Sequence, residues 1–257
     1  MINPVAFEIG GLSVRWYGLL IVCGILIAIL IAVRNCKKSR VDTDHLMNII
    51  LLILPCGLIG ARLYYVIFNW GYYSANPSEI IAVWHGGLAI HGGLLGGMLA
   101  MFLYCLVKKM PFRVMADIIL PGVVLAQAIG RWGNFFNQEA YGSVTDLPWA
   151  IYIDGAYRHP TFLYESLWDL AVFILLMVLW NKWKNRKHGD IMALYFIGYS
   201  LGRFWIEWFR TDSLMLGDLK MAMVISVAGI AAGILCLLFD RLHPITSYPT
   251  VGKKRRK

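Results

Sequence analysis

Residues 16–34 read WYGLLIVCGILIAILIAVR, a run in which Arg34, at its end, is the single charged residue. An apolar segment of about 20 residues is long enough to cross the hydrocarbon core of a bilayer as an α-helix. The rest of the chain has the same character, because 59% of its 257 residues are hydrophobic and only 15% are charged. Soluble domains are close to half apolar and a quarter charged. The composition therefore predicts an integral membrane protein.

Apolar runs of this kind recur along the chain and predict an all-α, polytopic membrane protein with about seven transmembrane helices. The runs lie at residues 16–34, 46–68, 87–107, 114–130, 161–181, 190–209 and 221–239. The fourth run is the shortest. Because no soluble domain fits between the runs, residues 1–257 are predicted to form a single integral membrane domain. The N-terminal segment lacks the basic region of a signal peptide, so the first run is expected to be retained.

The basic residues predict how the helices are oriented, since Lys and Arg concentrate in cytoplasmic loops. Seventeen of the 24 lie in the loops after the first, third, fifth and seventh runs. This pattern places the N-terminus outside and the C-terminus in the cytoplasm, with a basic cytoplasmic tail at 241–257. The longest outer segment is then near 131–160. The net charge of +9 does not indicate nucleic-acid binding, because the basic residues punctuate apolar runs instead of forming one stripe.

Six of the seven remaining basic residues are arginines, and one of them belongs to a polar cluster at the end of the fourth run. Residues 130–142 read GRWGNFFNQEAYG, which brings together Arg131, Asn134, Asn137 and Glu139. Such side chains are costly at membrane depth unless they are paired or bound to something polar. A forked cation, two amides and an acid suit a phosphate and its ester oxygens. Simple snorkelling of the arginines to outer headgroups is the alternative.

The sixth run contains a second polar set, formed by Tyr199, Arg203, Glu207 and Arg210. The spacing i, i+4, i+8 and i+11 places them along one face of a helix. Three charges in an apolar helix must face protein or water. A structural Arg203–Glu207 pair is one interpretation. Because one acid does not neutralise two arginines, an external anion is the other.

His91 is a candidate proton acceptor, since histidine changes its charge near neutral pH. It precedes Gly92, and the pairs Gly92/Gly96 and Gly93/Gly97 have the small-xxx-small spacing that lets another helix approach closely. A hydrogen-bonded packing histidine is the alternative interpretation.

Two other motif types are not supported by the sequence. Residues 198–202, GYSLG, match the nucleophile-elbow pattern by accident, because they lie in an apolar helix with no strand before them. Neither the histidines nor the five cysteines have metal-ligand spacing. No metal and no cofactor are therefore predicted.

These motifs together resemble those of the bacterial prolipoprotein diacylglyceryl transferases. The resemblance covers roughly residues 3–240. It is carried by Trp16–Gly18 (W-Y-G), Gly60–Arg62 (G-A-R), His91–Leu94 (H-G-G-L), the signature at 130–142 (G-R-x-G-N-F-x-N-x-E with Gly142 beyond it) and Tyr199–Arg210 (Y-x3-R-F-x2-E-x2-R). Two positions depart from the pattern, since Phe162 and Met223 stand where a Gln is usual. The resemblance therefore implies no role for a side-chain amide at either position.

The resemblance implies that the diacylglyceryl group of phosphatidylglycerol is moved to the lipobox cysteine of a prolipoprotein, at the outer side of the bacterial cell membrane. A thioether forms and glycerol phosphate is released. The partners so implied are phosphatidylglycerol, prolipoprotein signal peptides with a lipobox cysteine, and membrane lipid, with no nucleic acid.

The same resemblance implies roles for particular residues. We expect Arg131 and Arg203 to hold the phosphate, with Asn134, Glu139 and Glu207 orienting the arginines and the glycerol headgroup. His91, together with Tyr199, is the candidate proton acceptor. The substrate-binding set is completed by Asn137, Gly142, Arg210 and Tyr17. The alternative function is a membrane transporter for an anionic solute, which would also line its path with arginines. A phospholipase would differ from the transferase only in its acceptor. A structural scaffold would give no reason for the charged stripe.

Overall fold

The computed structural model describes residues 3–242. Its helices are α1 (Trp16–Lys38), α2 (Thr43–Phe68), α3 (Trp70–Ala75), α4 (Ile90–Val107), α5 (Phe112–Asn137), α6 (Thr161–Lys182), α7 (Asp190–Glu207) and α8 (Met221–Leu242). Its strands form three antiparallel pairs: β1 (Val5–Ile9) with β2 (Leu12–Arg15), β3 (Ile151–Ile153) with β4 (Ala156–Arg158), and β5 (Met215–Leu216) with β6 (Leu219–Lys220). Two 3₁₀ turns, Pro77–Ile81 and Val83–His85, precede α4.

The predicted class, an all-α polytopic membrane protein, is confirmed. Within the described residues, α1, α2, α4, α5, α6 and α8 are each long and apolar enough to cross a membrane. The helix α7 coincides with the predicted sixth run but carries Asp190, Arg203 and Glu207. The exact number of spans and the orientation of the termini stay predictions. Of the basic tail at 241–257, all but the first two residues lie outside the described part.

The helix α5, which corresponds to the fourth apolar run, is longer than the sequence pattern predicts. The apolar run stops at Gly130, whereas α5 continues to Asn137 and is 26 residues long. The expected boundary was wrong because the charge of Arg131 ends the apolar pattern without ending the helix. The signature therefore occupies the last two turns of α5, and only residues from 138 onward form the segment that follows.

Contacts within the described chain define two compact units, one of residues 3–35 and 116–242 and the other of residues 36–115. In the first unit, glycines on α7 let α6 come close. The indole of Trp168 lies against Gly202, Val172 packs 3.2 Å from the position of a Cβ on Gly198, and Trp168 Nε1 donates a 2.8 Å hydrogen bond to the carbonyl of Gly198. The GYSLG stretch thus has a packing role. The prediction of a single membrane domain stays a prediction.

In the second unit, α2 and α4 approach through glycines. A Cβ on Gly92 would collide with the carbonyl oxygen of Gly60, and one on Gly96 would collide with that of Cys56. Such close backbone approach is what small-xxx-small spacing permits. The predicted role of Gly92 and Gly96 as a helix-packing face is confirmed.

The Gly92–Gly60 approach predicts that Gly92→Ala destabilises the protein, because a backbone carbonyl cannot move aside as a side chain does. We expect the free energy of unfolding to fall by about 1–3 kcal/mol, as for other overpacked interiors. Thermal unfolding of the purified protein in detergent measures this change. Gly71→Ala is the matched control, since a Cβ on that helical glycine meets nothing within 4 Å. Equal melting temperatures for the two variants would contradict the packing assignment.

Candidate active site

A carboxylate on α6 lies at the centre of the charged cluster in the first unit. Glu165 is only 4% exposed. Its Oε2 lies 2.5 Å from Nε of Arg131, and its Oε1 accepts hydrogen bonds from Arg203 Nη1 and, at 3.5 Å, from Arg210 Nη1. One buried acid therefore holds three arginines that come from α5, α7 and the segment after α7.

Three members of the predicted stripe lie on α7, Arg210 follows the end of that helix, and the charged members meet. Arg203 Nη2 lies 2.6 Å from Oε2 of Glu207, which is 1% exposed, and Arg210 Nε lies 3.9 Å from the same oxygen. Arg210 also donates to Asp212, from Nε to Oδ1 at 3.0 Å and from Nη2 to Oδ2 at 2.9 Å. The bidentate pair with Asp212 fixes the plane of the Arg210 guanidinium.

The charge balance of the cluster differs from the sequence-based premise that one acid faces two arginines. Glu165, Glu207 and Asp212 supply three carboxylates to Arg131, Arg203 and Arg210. The premise was wrong because it counted charges along one helix, whereas Glu165 comes from α6. An anion is therefore not required for neutrality, and a bound phosphate would have to share these arginines with the acids.

Arg210 lies beyond the end of α7, and its surroundings favour the charged form. Burial alone would lower the pKa of its guanidinium. The hydrogen bonds to Asp212 and the negative charge of Glu165 outweigh that effect and raise the pKa. Lys220 secures the same turn, because its Nζ donates 2.7 Å hydrogen bonds to the carbonyls of Glu207 and Arg210. A lysine that binds the last carbonyls of a helix is a stable C-terminal arrangement.

The charged cluster borders a narrow cleft. The cleft is lined by Arg131, Glu165, Trp168, Asp169, Tyr199, Gly202, Arg203 and Ile206. The phenol of Tyr199 accepts a hydrogen bond of 3.4 Å from Nη2 of Arg131. Tyr195 stacks on Tyr199 at a centroid distance of 5.8 Å and donates to Oε1 of Gln127 at 3.1 Å. Tyr199 thus contacts Arg131 and lines the same cleft as Arg203.

The signature ends α5 with a defined hydrogen-bond pattern. The N–H of Glu139 donates to the carbonyl of Asn134 at 3.0 Å, and that of Gln138 donates to Phe135 at 3.1 Å. This is the Schellman pattern, in which the residue after the cap is left-handed. Gln138 takes that position with φ of 53°. A glutamine there is strained relative to glycine.

The polar side chains of the signature bind one another at this helix end. Oε1 of Glu139 accepts hydrogen bonds from Nδ2 of Asn134 at 2.9 Å and from Nδ2 of Asn137 at 3.2 Å. Glu139 itself is exposed. The three residues predicted to bind substrate therefore form one local group, and their contact with a headgroup stays a prediction.

Gly142 and Tyr17 occupy close contacts beside this helix end. The N–H of Gly142 donates to the carbonyl of His159 at 3.0 Å, and a Cβ on Gly142 would lie 2.6 Å from Cβ of His159 and 3.1 Å from the carbonyl oxygen of Phe209. Only glycine fits there, directly beside the segment that carries Arg210. The ring of Tyr17 covers Gly133 so closely that a Cβ would collide with it.

His91 belongs to the second unit, where it is exposed in the first turn of α4. Its ring lies 6.1 Å from that of Tyr64. The segment that leads to it is fixed by Arg62, which is 5% exposed. The guanidinium of Arg62 donates to the carbonyls of Glu79, Ile80, Ala82, Gly86 and Gly87. Arg62 therefore orders the turns before His91.

Comparison with known proteins shows the family of the chain. A sequence model of the family described as prolipoprotein diacylglyceryl transferase matches residues 4–239. The chain is 50% identical over 238 residues to the phosphatidylglycerol–prolipoprotein diacylglyceryl transferase of Clostridioides difficile strain 630, covering 92% of this chain and 95% of that protein. The chain belongs to the prolipoprotein diacylglyceryl transferase family.

Other relatives carry the same name at similar distance. The transferase of Clostridium novyi strain NT is 49% identical over 249 residues, covering 92% of this chain and 95% of that protein. That of Streptococcus mutans serotype c is 46% identical over 259 residues, covering 96% of this chain and 99% of that protein. The resemblance inferred from the motifs is therefore confirmed, and with it the transferase class.

One of the two departures from the prolipoprotein diacylglyceryl transferase pattern has a structural account. Phe162 is buried and packs on Phe135 and Trp132, with centroid distances of 4.9 and 5.4 Å. Its ring belongs to a group of packed aromatic side chains at the end of α5. Nothing in the structure explains Met223.

Sequence reasoning missed Glu165 and Asp169, which lie in or beside the charged cluster. Both lie on α6 within the predicted fifth run, at i and i+4, so they share one helix face. Two acids on one face of an apolar helix were a signal of the same kind as the stripe on α7, since each is costly at membrane depth without a partner.

The central position of Glu165 predicts that Glu165→Gln destabilises the protein. Removing one charge of a buried ion network leaves its partners uncompensated, which costs about 3–5 kcal/mol. We expect the midpoint of thermal unfolding in detergent to fall accordingly. Glu8→Gln is the control, because Glu8 is exposed in the β1–β2 hairpin and accepts a 3.2 Å hydrogen bond from Ser13. A midpoint for Glu165→Gln that matches the control would show that the arginines do not depend on Glu165.

Proposed function

We propose that this chain transfers the diacylglyceryl group of phosphatidylglycerol to the lipobox cysteine of a prolipoprotein, the first step of lipoprotein maturation. The thiol sulphur forms a thioether with the glycerol C3 atom, the bond from C3 to the phosphate oxygen breaks, and glycerol phosphate leaves. The relatives named phosphatidylglycerol–prolipoprotein diacylglyceryl transferase, at 46–50% identity over nearly the whole chain, support this reaction.

The observation that carries the chemistry is the convergence of Arg131, Arg203 and Arg210 on one carboxylate beside the cleft. As the bond to the phosphate breaks, a second negative charge develops on the leaving group. Preorganised guanidiniums at that position are the expected electrostatic device. Among the described residues, Nε of Arg131 contacts Glu165 and Nη2 donates a hydrogen bond to Tyr199. A guanidinium has five N–H donors in all. Further donors of Arg131 are therefore available to phosphate oxygens.

The cleft requires a movement before it can hold a headgroup. The cleft is narrow, and Arg131 and Arg203, which line it, already contact Glu165. We propose that the phosphate enters by taking over part of the contact between Glu165 and the arginines. Because each guanidinium has donors to spare, such an exchange does not leave Glu165 unpaired.

The remaining assignments rest on the family motifs. His91 is proposed to accept the thiol proton, since a thiol with a pKa of about 8.5 is mostly protonated at neutral pH. Asn134, Asn137 and Glu139 are proposed to bind the glycerol headgroup, together with Tyr17. The enzyme is proposed to be a multi-pass protein of the bacterial cell membrane with this site toward the outer side.

A transporter for an anionic solute is not favoured, because the matched relatives are named transferases. Purified protein, phosphatidylglycerol and a lipobox peptide, followed by mass spectrometry, distinguish the possibilities. Transfer adds a diacylglyceryl mass to the peptide, and Cys→Ser in the peptide abolishes it. Glycerol phosphate released without peptide modification would indicate hydrolysis, and anion flux in liposomes would indicate transport.

The arginine assignment predicts that Arg131→Lys and Arg203→Lys each lower kcat/KM in this assay by about 10²-fold. Lysine keeps the charge but loses the planar fork that holds two partners at once, and loss of one oriented donor costs about 10²–10³-fold. Arg15→Lys, in the exposed part of β2, is the control and should stay near wild type. Full activity of either cluster variant would refute a role for bidentate contacts.

The His91 assignment predicts that His91→Gln lowers kcat by about 10²–10⁴-fold, the usual contribution of a general base. Glutamine keeps the side chain polar but cannot accept the proton. His45→Gln is the control, because that histidine contacts Tyr104 at 2.9 Å and belongs to no family motif used here. Near-normal turnover of His91→Gln would show that another group accepts the proton.

A further inference from the structure

Asp169 lies in the cleft without a role in the proposed reaction. It follows Glu165 by four residues on α6 and therefore lies one turn away on the same helix face. Its side chain is buried, since the residue is 3% exposed, and it lines the cleft with Arg131, Tyr199 and Arg203.

One oxygen of the Asp169 carboxyl group makes no hydrogen bond to the surrounding network. Among residues 3–242, its Oδ2 is buried and has no hydrogen-bond partner. The titratable and charged groups that face Asp169 come from all elements around the cleft. They are Glu165 on α6, Arg131 on α5, and Tyr195, Tyr199 and Arg203 on α7. The two arginines direct their short contacts to Glu165 and Glu207 instead of Asp169.

The charges of the cluster favour a neutral Asp169 in the resting enzyme. Glu165, Glu207 and Asp212 already balance the three arginines. An ionised Asp169 would add an unpaired negative charge beside Glu165 in a buried site, which is costly. It would also repel the phosphodiester that must enter the same cleft. A protonated carboxyl in this place avoids both costs and keeps an acidic hydrogen next to Arg131.

We propose that Asp169 is a catalytic acid that holds a proton in the resting site and delivers it to the departing phosphate oxygen. This role rests on the proposed function. As the thiolate forms the C–S bond, the C–O bond breaks and its electron pair stays on the phosphate oxygen. That oxygen takes the proton of Asp169, so glycerol phosphate leaves as a monoanion. The thiol proton, once released to its acceptor, returns to Asp169 and restores the resting state; atoms and charge balance without any co-reactant.

Asp169→Asn tests this role, because asparagine keeps the shape and neutrality of the protonated acid but cannot supply the proton. We expect kcat in the peptide assay to fall by about 10²–10⁴-fold with little change in KM for phosphatidylglycerol. The wild-type rate should decline at high pH, where the acid is lost, and Asp169→Asn should lack this decline. Asp154→Asn is the matched control, since Asp154 is exposed in the turn between β3 and β4 and lies outside the cleft.

A better leaving group distinguishes an acid from a merely structural residue. In a phosphatidylglycerol analogue with sulphur in place of the oxygen between C3 and phosphorus, the thiophosphate leaves without protonation. Wild type and Asp169→Asn should then react at similar rates. A defect of equal size with both lipids would overturn the proposed role.

Infrared spectroscopy tests the resting state of Asp169 without relying on turnover. The difference spectrum between wild type and Asp169→Asn should contain the carbonyl band of a protonated carboxylic acid. A carboxylate band in its place would overturn the proposal. The activity of the wild type distinguishes the proposed function from the role of Asp169. If the wild type transfers nothing to the peptide, the proposed function fails. If the wild type and Asp169→Asn are both fully active, only the role of Asp169 is refuted.

Discussion

The ion contacts of Glu165 are the interaction on which the charged site depends. Three arginines from different parts of the first unit converge on this one buried carboxylate. In a membrane segment each of these charges alone would be costly, so the cluster is stable only when all its members are in place. The contact between α6, α7 and the end of α5 is therefore fixed by charge as well as by apolar packing.

The glycines of α7 set the distance at which this charge pairing occurs. Because Trp168 lies against Gly202 and hydrogen-bonds to the carbonyl of Gly198, the two helices are close along the turns that carry Glu165 and Arg203. Gly142 has a comparable effect on the segment that carries Arg210, since it lets that backbone pass beside His159 and Phe209. The positions of the arginines thus depend on glycines, which have no reactive side chain.

Sequence patterns predicted the helices, the glycine packing face and the stripe on α7 because each of these depends on residues close together along the chain. They did not predict Glu165 as the centre of the site, because its partners are 34 to 45 residues away in sequence. The end of α5 was misplaced for a related reason. An apolar pattern ends at Arg131, whereas the helix ends where its hydrogen bonds do, at the left-handed Gln138. The pairing of Arg203 with Glu165, like the true end of α5, is a property of the folded chain.

The balance of charge within the cluster has a consequence for the proposed reaction. Unpaired arginines would bind both the phosphodiester and the glycerol phosphate product tightly, which slows release without accelerating the chemical step. Arginines already shared with Glu165, Glu207 and Asp212 attract a single negative charge only weakly. Their attraction increases as the second charge develops on the leaving group, so the stabilisation is greatest where the bond breaks. The acids of the cluster therefore serve the reaction because they weaken the attraction of the arginines for the phosphodiester before its bond breaks.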